Sequence, residues 1–356
     1  MAIETITGVR CHAEALQPFI AQLLTAAGAD QASALAVARS VVDASARGVD
    51  THGVRLAPWY VAAAQNDHVN CRPNLTFERK APAVGHVDAD LGFGHLASYR
   101  AIAEGCAMAR ETGAAVVTVG RSSHHGATGC YTLAAARQGY AALGMSHADA
   151  MVVPFGGQKP FFGTNPLSFA VPAPGEEPIL LDMATSSIPF NRVMLRRTTG
   201  TPLPPEVAVD DDGSATVDPN AARALRPLGG AGFGYKGAGL ATVIDLLCSA
   251  FTGMQHGATI KATVPGAQPI FIGHFFLVLH PASFQLLELF DERIGAFLRH
   301  LRGQPAAAGE NVMAPGDPEK AEAAQRARDG IPIDRVTWRA LIKLADELHC
   351  PIPEAA

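Results

Sequence analysis

Five short segments of this 356-residue chain carry residue types that can do chemistry. In VDTHGVR, His52 follows Thr51 and precedes Arg55 by three residues. On a helix that spacing puts His52 and Arg55 on one face. An Arg that clamps a carboxylate and a His that moves a proton form a working pair for an anionic substrate. The same residues also read as a capping His and a surface Arg, and the segment alone does not separate the two. In RSSHHGATG, His124 and His125 follow an apolar run at 114–119, and the small residues Ser122, Ser123, Gly126, Ala127 and Gly129 leave room for a ligand where a strand ends. FGTNP (162–166) and LDMATS (181–186) repeat that logic, a short strand running into a polar loop. The fifth segment, GFGYKG, is a literal G-x-G-x-x-G built from Gly232, Gly234 and Gly237. The residues before it, ALRPLGGA, are no strand, and Asp245 follows too early to be the ribose acid, so it is not read as a Rossmann turn. Lys236, expected just before a helix N-terminus, is either a phosphate or carboxylate contact or a solvated side chain.

Other chemistries lack their patterns. Ser123 beside a histidine has no G-x-S-x-G elbow around it. Adjacent His124 and His125 point apart on a regular element, no H-x-x-x-H or H-E-x-x-H occurs, and no metal site is expected.

These segments must be positioned by surrounding elements. Helical periodicity marks 12–27, 31–47 (with Asp30 as its cap) and a third helix from Asp50 or Thr51 to about 65. The middle alternates: strands at 83–87, 114–119, 140–145, 167–171 and 178–181, with helices at 94–111 and 130–138. A Pro-, Gly- and Asp-rich stretch covers 202–234, followed by a helix at 237–253, a strand at 270–279, and helices at 284–301, 319–328 and 334–348. The expected architecture is α/β: a central sheet, 116–304, beside a helical unit built from both termini, 1–115 with 305–356. At 48% hydrophobic and 17% charged residues the chain is globular, and a net charge of −5 without a basic block argues against a nucleic-acid partner. Apolar stretches are too short or interrupted to span a bilayer. The opening residues lack a basic-then-apolar leader, and the six cysteines form no CxxC pair, so the expectation is reduced thiols in the cytoplasm.

Taken together, DTHGVR, RSSHHGATGCY, MVVPFGGQKPFFGTNPLSFA, LDMATS and GYKGAGL resemble the malate/L-lactate dehydrogenase family of the non-Rossmann type, which also includes ureidoglycolate and sulfolactate dehydrogenases, diketogulonate reductase and piperideine-2-carboxylate reductase. The resemblance runs from about residue 10 to 345. It implies an NAD or NADP enzyme with the cofactor on an atypical mixed sheet, a homodimer, and an active site near the subunit boundary. By position it implies His52 or His124 as acid/base, with Thr51 beside the first. It implies cofactor contacts at His125, Gly126, Ala127, Thr128, Gly129, Thr164, Asp182, Met183, Ala184 and Lys236, and at the late loop Pro315, Gly316 and Asp317. The chain departs from the family twice. Leu56 stands where the family commonly has Arg, with Arg55 one position earlier, and Arg192 stands where the imine reductases have Asp. Arg55 and Arg192 are therefore read as substrate-carboxylate ligands.

The resulting expectation is an NAD(P)-dependent oxidoreductase interconverting a 2-hydroxy acid and a 2-oxo acid. Reduction of a cyclic imino acid is the competing reaction, and a silent nucleotide-binding protein the competing class. The presence of His52, His124 and Lys236 argues against the last.

Overall fold

The computed structural model of the protein describes residues 8–260 and 271–354. The first third of the chain runs β1 (Val9–Cys11), α1 (Ala13–Ala26), α2 (Gln31–Ala46), α3 (Ala57–Gln65), β2 (Thr76–Ala81), β3 (Val84–Asp88), α4 (Gly94–Thr112) and β4 (Ala114–Ser122). Next come α5 (Gly129–Ala136), β5 (Ala141–Ser146), β6 (Leu167–Ala173), β7 (Glu176–Met183), α6 (Phe190–Thr199), β8 (Ala208–Val209), β9 (Ala215–Thr216), β10 (Ala224–Leu225) and α7 (Gly230–Ser249). The rest is β11 (Ile272–Leu279), α8 (Leu287–Arg302), α9 (Asp317–Asp329), β12 (Ile331–Ile333) and α10 (Arg335–Glu347).

The helical layer forms because the two ends of the chain pair. β1 runs antiparallel to β12, with Val9 opposite Ile333 and Cys11 opposite Ile331. This brings α10 against α3, and Leu16, Ile20, Leu24, Val37, Val41, Val61 and Leu341 share one core. Asp30 caps α2 as expected, its Oδ1 accepting from the Ser33 amide at 2.7 Å.

Seven strands form the central sheet in the order β2-β3-β4-β11-β5-β6-β7. Only β3 and β4 are parallel, joined by α4; every other neighbouring pair is antiparallel. The mixed sheet is thus not the parallel, doubly wound sheet of a Rossmann domain. A second, three-stranded sheet, β10-β8-β9, holds the Pro- and Gly-rich segment. The sheet starts earlier in the chain than residue 116, because β2, β3 and α4 belong to it. β2 escapes the sequence reading because TFERKA is almost wholly exposed and has no alternating apolar face. The expected strand at 270–279 is β11 over its described part; Ile270 lies outside the described residues.

Two boundaries are corrected. α7 begins at Gly230, so all three glycines of GFGYKG, and Lys236, lie inside the helix rather than before it. A helix at 190–199 was not anticipated. Its signals are present: Pro189 at the cap, Arg196 and Arg197 in the last turn, and Gly200 with φ +66° closing it.

α4 lies close on the sheet because Ala97, Ala101, Gly105 and Ala109 repeat every four residues on its buried face. A Cβ on Gly105 would stand 2.8 Å from Val278 Cγ2 on β11. Replacing Gly105 by Val should lower stability by about 1–3 kcal/mol through overpacking. A denaturation midpoint equal to the parent's would show that α4 can shift freely.

Candidate active site

The turn bearing His52 is not the start of a helix. Two 3-10 turns, Asp50–His52 and Val54–Leu56, are separated by Gly53 (φ −95°, ψ −148°), and α3 begins only at Ala57. The break has a local cause. Ser45 Oγ on α2 accepts the Val54 amide at 3.0 Å, and a Cβ on Gly53 would stand 2.0 Å from that oxygen. His52 and Arg55 therefore do not share a helical face. His52 lines a cleft, while Arg55 is exposed and not part of its lining.

The turn is held at both ends. Arg326 of α9, almost fully buried, makes a bidentate pair with Asp50 (2.6 and 2.9 Å), reaches the Ser45 carbonyl at 2.7 Å, and binds Glu322 at 2.6 Å. Asn191 on α6 donates Nδ2 to the Thr51 carbonyl at 3.2 Å. Thr51 Oγ1 lies 3.0 Å from His52 Nδ1.

The cleft holds about 550 Å³ between the helical layer and the end of the sheet. His124, delivered by the loop after β4, faces His52 with the rings nearly parallel at 15° and centroids 6.0 Å apart. Tyr60 from α3 places its hydroxyl 2.6 Å from His124 Nδ1, and the Gly126 amide donates to the same nitrogen at 3.3 Å. A backbone N–H can only donate, so Nδ1 is an acceptor and the ring's proton sits on Nε2. Burial pushes His52 below the usual imidazole range, and burial with His52 nearby pushes His124 down to about 3.

Opposite these rings the wall is made of small residues and backbone. Thr51, Gly126, Ala127, Thr128, Thr164, Asp182, Met183 and Ala184 all line the cleft. Gly129 sits one step behind, its amide donating to Asp182 Oδ2 at 2.8 Å. Burial pushes Asp182 up to about 6, against the pull of that amide and of Arg47.

Several expected contacts lie elsewhere. His125 does not line the cleft; it is buried, bonded to Ser98 and Thr128 hydroxyls (2.9 and 3.0 Å), and stacked at 4.0 Å on His274. Arg192 is half-buried next to the lining residue Asn191 but is not itself lining. Lys236 is exposed in the second turn of α7, with Phe233 and Tyr235 rings 5.7 and 5.9 Å from its Nζ. Pro315, Gly316 and Asp317 sit against β7. The Leu180 amide donates to the Pro315 carbonyl at 3.2 Å, and Asp317 takes both the Ala314 amide and the Arg302 guanidinium. Conversely, Leu56, Trp59, Tyr60, Asp149 and Asn191 line the cleft without having been expected. For Tyr60 a signal existed: a tyrosine on an apolar helix face needs a partner for its hydroxyl.

Buried neutral imidazoles make folding pH-dependent. His124 and His274 both stand at about 3 against an ordinary 6.5. Between those values the unfolded chain binds protons that the folded one refuses. Stability should therefore be full above pH 6.5 and fall as pH drops, by up to about 1.4 kcal/mol per pH unit for each such histidine. Denaturant unfolding at pH 7 and pH 5 checks this; equal stability at both would contradict it. Replacing Arg326 by Met strands the Asp50 carboxylate and should cost about 3–5 kcal/mol, read from the same unfolding curves.

The family model for malate/L-lactate dehydrogenase matches residues 11–342. A ureidoglycolate dehydrogenase (NAD(+)) of Escherichia coli O157:H7 is 33% identical over 331 residues, 92% of this chain and 94% of that protein. A (2R)-3-sulfolactate dehydrogenase (NADP(+)) of Chromohalobacter salexigens is 33% identical over 298 residues, 82% of this chain and 85% of the relative. Among solved structures, a delta1-piperideine-2-carboxylate reductase from Pseudomonas syringae superposes with a TM-score of 0.86 at 30% identity, over 94% of this chain and 99% of the other. The chain belongs to the malate/L-lactate dehydrogenase family.

Proposed function

We propose that this protein is an NAD(P)-dependent oxidoreductase that interconverts a 2-hydroxy acid and a 2-oxo acid. The observation that carries the reading is the pair of parallel, half-buried imidazoles facing a wall of small residues across one cleft. The residues fit a dinucleotide. Gly126, Ala127, Met183 and Ala184 offer little side-chain bulk beyond Met183, and among the described residues Asp182 keeps one carboxylate oxygen without a hydrogen-bond partner, open to a ribose hydroxyl. When bound, the nicotinamide supplies or accepts the hydride. The printed names of relatives include both NAD(+) and NADP(+) forms, which supports either cofactor.

The two histidines divide the remaining work. His124 Nδ1 receives the Gly126 amide, so protonating it loses that bond; His124 is a fixed Nε2–H donor to the substrate oxygen. Among the described residues His52 Nδ1 meets the Thr51 hydroxyl alone, which donates or accepts with equal ease, so His52 tolerates both protonation states. His52 is the acid/base. The substrate carboxylate, brought beside rings kept neutral by burial, raises the affinity of His52 for a proton. Hydroxyl, amide and imidazole groups hold that carboxylate, since Arg55 and Arg192 lie outside the lining.

The same reading includes a homodimer in the cytoplasm. Phe233, Tyr235, Val243, Leu246 and Phe251 leave an apolar, half-to-two-thirds exposed face on and just beyond α7, suited to a second copy. Among the described residues no helix is long and apolar enough to cross a membrane, and all six cysteines are free thiols.

The test is a screen of 2-oxo acids and a cyclic imino acid against NADH and NADPH, followed by single variants. His52→Ala should lower kcat at least ~100-fold and remove one limb of the pH profile. His124→Ala should act mainly through KM. Near-native kcat with unchanged pH limbs in both variants would sink the mechanism, and turnover of the imine alone would replace the reaction. Light scattering that gives a monomer mass at micromolar concentration would contradict the dimer.

A further inference from the structure

We infer that the substrate's side chain is uncharged and apolar: the cleft takes a monoanionic 2-oxo acid with a hydrocarbon substituent, not one bearing a second carboxylate or a sulfonate. This rests on the 2-oxo acid reading above and names the substrate class within it.

The helical wall of the cleft is Leu56, Trp59, Ala63, Val69 and Phe93. Trp59 and Ala63 lie four residues apart on α3, hence on one face of it, and Leu56 precedes them at the end of the second 3-10 turn. Ala63, Val69 and Phe93 are buried and Leu56 is half-buried. Trp59 stands edge-on to His124, with ring centroids 5.6 Å apart, and is 44% exposed. A group extending from a carbon held at His124 along this wall meets hydrocarbon.

The charge inventory points the same way. Among the described residues, no Lys or Arg lines the cleft. Apart from Tyr60, its ionisable groups are His52, His68, His124, Asp149 and Asp182. A proton taken up by His52 answers one substrate carboxylate. Among the described residues of one chain, a second anionic group would find no fixed cation, and it would share the cleft with the carboxylates of Asp149 and Asp182. A desolvated, unpaired charge is strongly disfavoured, and like charges add to the penalty. The wall thus selects by attraction to hydrocarbon, and the acids select by repulsion.

The experiment uses the full-length enzyme saturated with NADH. Unreactive carboxylates are titrated by calorimetry, 4-methylpentanoate as the apolar probe and succinate as the dianionic one. Turnover of 4-methyl-2-oxopentanoate and oxaloacetate is measured alongside. The apolar probe should bind at least ~100-fold more tightly, since each methylene in such a pocket is worth about 10–200-fold. Leu56→Arg should shift the ratio toward succinate by at least ~10-fold, the scale of a close charge pair. Trp59→Ala should weaken the apolar probe and leave succinate unchanged, which keeps the test decisive if the arginine variant misfolds. Succinate binding as tightly as 4-methylpentanoate in the parent enzyme overturns the inference. Binding preference without turnover of either 2-oxo acid supports the apolar wall and instead removes the 2-oxo acid reading.

Discussion

Two imidazoles whose centroids stand 6.0 Å apart in a desolvated cleft cannot both carry charge at neutral pH. Much of the surrounding structure follows from that constraint. Tyr60 and Gly126 commit His124 to one tautomer, and Thr51 gives His52 a partner that accepts either state. Burial supplies the neutral resting state. An anionic ligand is then the natural trigger for proton uptake, so the pair responds to the charge of what enters.

Holding the pair needs segments that are far apart in the chain. The His52 turn rests on α2 through Ser45, on α9 through the Asp50–Arg326 pair, and on α6 through Asn191. The β1–β12 pairing fixes where α9 and α10 fall, so the ends of the chain decide the aim of a residue near its start. A buried ion pair of this kind adds little net stability over an apolar replacement. Its use here is positional: two oxygens of Asp50 locked to two nitrogens of Arg326 leave the turn one orientation.

Much of this was legible in the sequence, and the gaps have specific causes. The helices α1 and α2, the Asp30 cap, and β4 with its AAVVTV run follow from periodicity and β-branching. His52 and His124 were singled out by residue type and loop context, and they do meet. Arg55 was misjudged because its aim depends on the break at Gly53, and that break depends on Ser45 from another helix. The Asp50–Arg326 pair spans 276 positions and has no local signature. Lys236 was placed at a helix start because glycines usually end helices. Here α7 continues through them, packed so closely that a Cβ on Gly237 would stand 2.4 Å from the Leu228 carbonyl oxygen.

The mixed sheet also dictates how a dinucleotide is met. In a parallel, doubly wound fold the pyrophosphate sits on the first amides of a helix that follows a strand. One of the helices that open beside this cleft is α5, and its first amide, that of Gly129, already donates to the Asp182 carboxylate at 2.8 Å. With Asp182 pushed up only to about 6, that carboxylate is mostly ionised at pH 7. An anion therefore already occupies the helix end, and a phosphate brought to the same place meets repulsion from Asp182. What Asp182 welcomes is a hydroxyl donor. At this point the cleft suits a hydroxyl donor better than a phosphate.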